Sequence, residues 1–222
     1  MGSLTAVVDV AGEYVTVDVT GIPTGYLTLY RTPEGGREQA VGGAQSVDVS
    51  TAFSVKDYEA PQRIYLSYRG EVVDGDGTVI DTIPDTQCSG RIAHAGDWLF
   101  PTSSPIDGRV VIVESQLERE IEVVADVAKV INRSDPVVLL DANQWWSGKL
   151  SLLTTTLDDE AWLENILLAG QVIGFCPYEP VYGYRETQFF VVTKVGVARF
   201  VRRATEQVRR WRLEVQTVER PA

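Results

Sequence analysis

The chain has 222 residues and a net charge of −11, which comes from 31 acidic and 20 basic side chains. General nucleic-acid binders usually carry the opposite balance, so nucleic-acid binding is not expected. No apolar run approaches the roughly 20 residues of a membrane-spanning helix. The N-terminus also lacks the basic and apolar segments of a secretory signal, so neither a membrane nor a secreted location is expected.

Short strands separated by turns are predicted over residues 1–88. Val15, Val17 and Val19 alternate with polar residues, which is typical of a half-buried strand. Residues 63–69 alternate in the same way. Further strands are predicted at 26–31, 45–49, 52–55 and 78–81. Strands spaced about 8–12 residues apart are typical of a small β-sandwich of the immunoglobulin or fibronectin type III kind, so no helix is expected here.

Residues 89–105 differ in composition and are predicted to be a linker. Their glycines and serines, with prolines at both ends of 101–105, disfavour a long regular element. The segment also contains Trp98, Leu99 and Phe100, an apolar triplet too large to leave in water. Two interpretations stay open, because the triplet either packs into the core of the domain that follows or anchors a partner.

A second, β-rich domain is predicted over residues 106–222, with one short helix at about 158–169. Three acidic residues at its start, an apolar stripe of helical spacing and Gly170 at its end indicate the helix. Residues 118–129 suit either a helix or a strand, and their valines favour a strand. The remaining strands are predicted at 109–113, 136–140, 149–155, 172–175, 188–195 and 209–218. The predicted fold class is therefore mostly β, an immunoglobulin- or fibronectin-III-like sandwich followed by a β-rich domain with one short helix.

Few residues in the sequence suit catalysis. His94 is the single histidine, lies in the predicted linker and is expected to be a solvated loop residue. Histidine-based triads and metal sites would both need it, so no catalytic residue, metal or cofactor is expected. Acidic pairs such as Asp57 with Glu59 leave one route to glycosidase chemistry. Asp74 and Asp76 are expected to shape a hairpin turn rather than to bind calcium.

The two cysteines, Cys88 and Cys176, are far apart in sequence and belong to no CxxC pair. Buried thiols are the expected state, as in most proteins that assemble inside cells. A single disulfide between them stays the alternative.

Two aromatic clusters are candidate interaction sites. Trp145 and Trp146 follow Asn143 and Gln144, which are polar. Farther along, prolines and a glycine separate the tyrosines of a second cluster, Tyr178, Tyr182 and Tyr184. Core packing, a protein interface and sugar stacking each account for such aromatics, and tryptophan and tyrosine are enriched at interfaces. These residues join Trp98 and Phe100 as candidate interface residues.

A basic segment is the third candidate site. Eight of the 20 basic residues fall within residues 194–220 of this acidic chain. Four of its arginines are taken as interface candidates: Arg202, Arg203, Arg209 and Arg210. Two interpretations stay open, a solvated hairpin and a strip that pairs with the acidic surface of a neighbouring subunit.

The order of the motifs in the second half points to a family. In sequence these are 98–101, Arg133 before 136–138, 148–156, the helix 158–168 with Gly170, 177–184, 189–192, 210–213 and 218–221. In the first half, 57–61 is followed by 64–69. In this order and spacing, nearly the whole chain resembles the minor tail or distal tail proteins of long-tailed phages that infect actinobacteria. The resemblance implies that the second domain is of the distal-tail type and that the first is the small sandwich that often precedes it in this family.

The resemblance implies a structural virion protein of the phage tail tip, assembled in the host cytoplasm and without catalytic residues. It implies a ring oligomer, a hexamer, that joins the tail tube to the hub and fibres. The implied partners are other copies of the chain, the tail tube protein, and the tail hub and tape-measure proteins. Many relatives carry long loops or carbohydrate-binding insertions that this compact chain lacks, so receptor recognition by this subunit stays open.

Two other functions stay open beside the structural one. A carbohydrate-binding adhesion module would recognise host cell-wall glycan with Trp145, Trp146 and the tyrosine cluster. A glycan hydrolase would need an acidic pair in a cleft, with the carboxyl groups about 5 to 9.5 Å apart.

Overall fold

The computed structural model describes residues 2–9, 11, 13–121, 125–128, 137–140, 146–179, 186–200, 208–218 and 220. For residues 115–121, 125–128, 137–140, 146 and 199–200 it describes the backbone. The chain divides into two compact units. The first unit comprises residues 1–111, 173–189 and 220–222, and the second comprises residues 112–172 and 190–219.

Strands dominate the described residues, as the sequence predicts. In chain order they are β1 Ser3–Val8, β2 Val15–Thr20, β3 Gly25–Pro33, β4 Gln39–Ala40, β5 Val47–Val49, β6 Ala52–Asp57, β7 Leu66–Val73, β8 Val79–Gln87, β9 Asp97–Pro101, β10 Arg109–Ile121, β11 Ala125–Ala128, β12 Val137–Leu140, β13 Trp146–Thr154, β14 Ile173–Cys176, β15 Gln188–Phe200 and β16 Val208–Thr217. A 3-10 turn covers Pro105–Asp107, and the helix α1 covers Leu157–Leu168. The mostly-β fold class and the position of its helix are thus confirmed.

Two antiparallel sheets build the first unit. One has the strand order β1-β2-β6, and the other has the order β4-β3-β7-β8, with β5 also paired to β3. Their inward residues alternate with outward ones, so that Val15, Val17 and Val19 of β2 and Leu27 and Leu29 of β3 are fully buried in one core. The predicted β-sandwich character is therefore confirmed, and it follows from the period-2 pattern of the sequence.

The ends of several strands differ from the prediction. β7 begins at Leu66 rather than at residue 63, and Arg63 has a φ of 61°, which interrupts extended backbone before the strand. β1 and β4 were not predicted, and β9 lies within the segment predicted to be a linker. β9 pairs with β10 through Leu99 and Arg109, so its backbone groups are bonded as in any strand of a sheet.

Neighbouring strands of the second unit are hydrogen-bonded in the order β10-β13-β16-β15, and β14 pairs with β9 in the first unit. Within the second unit, β13 pairs with β16 in a register that places Leu150 opposite Leu213 and Leu152 opposite Trp211, and all four side chains are buried. A separate two-stranded sheet pairs β11 with β12. The expectation of a strand over residues 118–129 is confirmed where the structure describes that segment, at 118–121 and 125–128.

Capping explains where α1 begins and ends. The Thr156 side chain accepts a hydrogen bond from the Asp159 backbone N–H at 3.0 Å, which satisfies one of the free N–H groups of the first turn. Gly170 has a φ of 62°, a left-handed conformation that suits glycine after a helix. Leu163 and Ile166 are the buried residues of the helix.

Close packing of Gly174 against Phe100 gives a first prediction. A Cβ at position 174 would lie inside the van der Waals distance of the Phe100 ring, so Gly174→Ala is expected to destabilise the protein by about 1–3 kcal/mol. The free energy of unfolding in urea measures the effect. Adding Phe100→Leu is expected to recover part of the loss that Gly174→Ala causes. Gly75→Ala serves as the matched control, because nothing lies within 4 Å of its added Cβ. Equal effects of the two alanine variants would contradict the packing argument.

Candidate functional site

The strand β9 holds two of the predicted interface residues, and only one of them reaches the surface. Phe100 is fully buried, and its ring meets the edge of Phe189 with 6.4 Å between the ring centroids. Its side chain therefore offers no surface to a partner. Trp98 is partly buried, and its ring lies parallel to that of His94 with 4.1 Å between centroids. The apolar triplet belongs to the first unit, so the interpretation that it packs into the core of the following domain is wrong.

His94 is not the solvated loop residue that the sequence predicted. Its exposed fraction is 7%, and the stacked Trp98 ring lies within 3° of its plane. Burial lowers the pKa of His94 to about 4, so the imidazole is neutral at pH 7. The prediction failed because irregular backbone was taken as exposed. Ile92 and His94 alternate inward there, as side chains do in a strand.

The aromatic clusters are only partly described. Tyr178 lies beneath Arg63, whose guanidinium carbon is 4.0 Å from the ring centroid. One ring face is thus taken by a cation, which disfavours sugar stacking at this tyrosine. Trp145, Tyr182 and Tyr184 and the side chain of Trp146 lie outside the described residues. Their roles in a sugar or protein interface stay predictions.

Two of the candidate arginines have carboxylate partners within the second unit. Arg209 forms an ion pair with Glu160 of α1, and Arg210 forms one with Glu114 of β10. The Arg209 side chain is about one-third exposed and the Arg210 side chain about one-fifth exposed. Because ion pairs near solvent contribute little, each stabilises the unit only modestly. Arg202 and Arg203 lie outside the described residues, and their interface role stays a prediction.

The principal polar cluster of the first unit, which the sequence did not predict, begins with a buried ion pair. Arg31 and Asp57 are both fully buried as side chains, with 2.7 Å between Nη1 and Oδ1. The Tyr68 hydroxyl donates to the other carboxylate oxygen at 3.0 Å. The Glu59 backbone N–H adds a third hydrogen bond to Asp57 at 3.1 Å. The carboxylate is therefore satisfied by three donors, as a buried charge requires.

A second ion pair continues this cluster. Arg220 donates from Nε and Nη2 to the two carboxylate oxygens of Glu59, at 2.6 and 2.9 Å. Arg31 approaches the same carboxylate, with 3.9 Å between Nη2 and Oε2. Gly42 permits this geometry, because a Cβ there would lie 2.7 Å from Glu59 Oε1 and closer still to Arg220. Two acids and two arginines thus alternate, and we call these four residues, Arg31, Asp57, Glu59 and Arg220, the buried quartet.

Electrostatics favours the charged form of Arg31. Burial by itself lowers the pKa of Arg31, but the neighbouring Asp57 and Glu59 carboxylates outweigh it and raise that pKa above its usual value. Burial also raises the pKa of the Tyr68 phenol, which stays protonated and acts as a hydrogen-bond donor. Arg31 therefore stays a cation within the core, and the Tyr68 hydroxyl stays a hydrogen-bond donor to Asp57.

Both cysteines are buried free thiols, as the sequence predicted. Burial raises the pKa of Cys176 to about 12, and its Sγ lies 3.2 Å from the Thr187 hydroxyl. Burial raises the pKa of Cys88 as well. Because the thiolate is the nucleophile, neither side chain is poised for covalent chemistry.

A cleft of about 500 Å³ lies beside the quartet within the first unit. Its walls are formed by Gly42, Gly43, Gln45, Val47, Val55, Lys56, Asp57, Tyr58, Glu59, Thr102, Ser103, Pro105 and Arg220. Asp57 and Glu59 are the acidic pair that the sequence left as a route to glycosidase chemistry. Both carboxylates are held by guanidinium groups, so their oxygens are engaged rather than free to exchange a proton with a substrate.

A sequence signal for the quartet does exist. In β3 the inward positions are Leu27, Leu29 and Arg31, so an arginine occupies an apolar face of an alternating strand. In β6, Val55 and Asp57 follow the same rule. Charged residues in register with a buried face are informative, because they are almost never fully buried without a partner.

Comparison with known proteins adds no relative, because neither the protein-family models nor the curated proteins contain a match to this chain.

Among the described residues, no three His, Cys, Asp or Glu side chains are grouped so as to hold a metal ion. No helix within the described ranges has the length and apolar character to cross a membrane. Asp74 accepts hydrogen bonds from the backbone N–H groups of Asp76 and Thr78, as expected for a hairpin turn.

Removing one charge from the quartet is expected to be costly. Arg31→Met leaves Asp57 buried without its cation, and we expect a loss of about 3–5 kcal/mol in the free energy of unfolding. Arg31→Met combined with Asp57→Leu is expected to lose less, since neither charge then stays unpaired. Urea denaturation measures both.

The control for this prediction is Arg69→Met. Arg69 pairs with Glu38 and Glu71 but is partly exposed, so we expect a loss of about 1 kcal/mol or less. If the double variant at Arg31 and Asp57 had a lower free energy of unfolding than Arg31→Met alone, the assigned role of the ion pair would be contradicted.

The buried imidazole predicts a pH dependence. The folded-state pKa of His94 is about 4 and the unfolded value is 6.5, so the unfolded chain binds the proton first. Its contribution to stability is complete above pH 6.5 and is lost as the pH falls from 6.5 towards 4. We compare unfolding free energies of the wild type and His94→Phe, which keeps a ring on Trp98, across this range. Identical pH profiles of the two proteins would show that His94 is not buried as a neutral base.

Proposed function

We propose that this chain is a structural protein of the tail tip of a long-tailed actinobacteriophage. In this role it forms a ring, a hexamer, that joins the tail tube to the hub and fibres. Its partners are further copies of itself, the tail tube protein, and the tail hub and tape-measure proteins. It is assembled in the host cytoplasm, acts within the virion and catalyses no reaction.

The observation that carries the proposal is how the motifs of the resemblance are arranged in the second unit. The motif at 148–156 covers most of β13, and the motif at 210–213 lies in β16, its neighbour. The motif at 189–192 enters β15, the next strand, where Val191 lies opposite Gln216. The helix α1 follows β13 directly. Motifs far apart in sequence thus form one contiguous sheet, which supports their interpretation as a single family pattern.

The buried quartet supports a structural role over a hydrolytic one. A glycosidase needs one carboxyl group able to donate a proton and a second that faces the substrate. At the cleft of the first unit, Arg31 binds Asp57 and Arg220 binds Glu59. Such pairs hold segments of the chain together, and their charges are unavailable to a substrate. The ion pairs of Asp57 and Glu59 at this cleft therefore support a structural role for the two acids over a catalytic one.

Assembly of the purified chain tests the proposal. Sedimentation velocity is expected to show an oligomer, and electron microscopy of the same sample is expected to show rings. Arg202→Glu with Arg203→Glu is expected to weaken the ring if these arginines meet the acidic surface of a neighbour. Arg209→Gln is the control, because Arg209 already pairs with Glu160 within the chain. A strictly monomeric protein would contradict the proposal.

A glycan array separates the proposal from the adhesion alternative. Under the structural proposal the chain binds no cell-wall glycan. Binding that disappears on Trp145→Ala, while Tyr178→Ala leaves it intact, would favour a carbohydrate-binding module that uses the tryptophan cluster.

A further inference from the structure

Two exposed arginines at one end of the first unit have no acidic partner among the described residues. Arg91 lies over the Tyr65 ring, with 3.9 Å between its guanidinium carbon and the ring centroid. Arg63 lies over Tyr178 at 4.0 Å. The remaining described ion pairs show the usual alternative, in which a carboxylate neutralises the cation.

Stacking orients these guanidinium groups without using up their donors. A guanidinium held over an aromatic ring by a cation–π contact keeps N–H groups that can still donate to a carboxylate. The backbone holds Arg63 in place as well, because its N–H donates to the Ile92 carbonyl at 2.8 Å. Tyr65 itself is 40% exposed. We call the set of Arg63, Tyr65, Arg91 and Tyr178 the arginine–tyrosine end, and such residues are enriched at the centres of protein interfaces.

Acidic residues also lie near this end. The Glu34 backbone N–H donates to the Tyr65 carbonyl, and the Asp97 carboxylate accepts from the Tyr178 backbone N–H at 2.8 Å. The described side-chain contacts of Arg63 and Arg91 are those with the rings of Tyr178 and Tyr65. The two guanidinium edges are thus available to an acid from outside the unit.

An acidic end lies at the other extremity of the same strand. Arg63 and Tyr65 come directly before β7, and the turn that contains Asp74 and Asp76 comes directly after it. The eight residues of β7 separate the two ends by roughly 25 Å, at about 3.3 Å per residue.

The acidic end is also the end of the sheet at which β3 begins. Tyr26 of β3 lies opposite both Val73 of β7 and Asp48 of β5, and Val73 lies opposite Val79 of β8. Asp48 and Asp76 are exposed, and neither has a basic partner among the residues that the structure describes. Tyr26 is 41% and Val79 is 52% exposed beside them. We call the set of Tyr26, Asp48, Asp76 and Val79 the acidic end.

We propose that the first unit associates head to tail with a second copy of this chain, the arginine–tyrosine end of one copy binding the acidic end of the next. The arginine–tyrosine end presents two exposed guanidinium groups and the acidic end presents two exposed carboxylates, each pair beside exposed apolar or aromatic surface. Since the ends lie at opposite extremities of one strand, they cannot neutralise each other within one chain. An interface between two different surfaces repeats from copy to copy and closes into a ring when the rotation permits.

The inference rests on the ring proposed above and assigns it one of its contacts. It predicts that the contact weakens with salt, because screening shortens the range of exposed charges. It also predicts that two variants with opposite charge reversals associate with each other but not with themselves. A nonspecific association would not show this selectivity.

A charge-complementation experiment tests the inference. One variant, Arg63→Glu with Arg91→Glu, has two acidic ends, and the other, Asp48→Arg with Asp76→Arg, has two basic ends. Asp74 stays unchanged, because it holds the turn through its hydrogen bonds to the backbone. In sedimentation velocity each variant alone is expected to show a self-association constant weaker by about tenfold or more. An equimolar mixture of the two is expected to recover association, since every contact then joins opposite charges.

The controls separate misfolding and general charge effects from the specific contact. Recovery in the mixture itself demonstrates that both variants are folded, and circular dichroism checks each of them. Arg212→Glu makes the same charge change at an exposed arginine of the second unit and is expected to leave association unchanged.

Three outcomes decide the inference. Loss in each variant with recovery in the mixture supports it. A wild-type ring that neither variant weakens, or a loss that the mixture does not repair, overturns this contact and leaves the proposed ring standing. A monomeric wild type at low salt overturns the contact and the ring together.

Discussion

Arg31 lies in the core of the first unit with its full charge, and the arrangement around it follows from that fact. Taking one guanidinium out of water costs several kcal/mol even after relaxation. Asp57 offsets this cost through a direct hydrogen-bonded ion pair, and Glu59 adds a second negative charge at 3.9 Å. Two acids beside one cation would leave a net negative charge, and Arg220 cancels it. With Glu59 present beside the Arg31–Asp57 pair, Arg220 is the residue that matches the second acid.

We expect the quartet to contribute more to the specificity of the first unit than to its stability. Apolar residues of similar volume could pack in more than one register, whereas an ion pair with fixed hydrogen bonds requires one arrangement of its partners. Arg31 and Asp57 come from different sheets, and Arg220 comes from a segment 161 residues away from Glu59. The quartet consequently links the two sheets to each other and to this distant segment. Gly42 belongs to the same constraint, because any larger side chain there would displace the guanidinium group.

Local patterns in the sequence account for most strands and for the helix, since alternation and capping depend on neighbours within a few residues. Val15, Val17 and Val19 show this, as do Thr156 and Gly170 around α1. The quartet depends on partners 26 and 161 residues apart, which one sequence does not reveal. Alternation does place Arg31 on the face of Leu27 and Leu29, so its burial was predictable although its partner was not. His94 was misjudged for a related reason, because irregular backbone says nothing about which side chains it turns inward.

The positions of the two thiols allow local opening of the protein to be measured by thiol labelling. The sequence has only two cysteines, and both lie in the first unit, Cys88 next to the end of β8 and Cys176 at the end of β14. Buried thiols with raised pKa values react with alkylating reagents only when the surrounding structure opens. The labelling rate in native buffer therefore measures the opening of the first unit and does not report on the second unit, which has no cysteine. Comparing Cys88 with Cys176 would show whether the sandwich and the strand beside the quartet open together or one at a time.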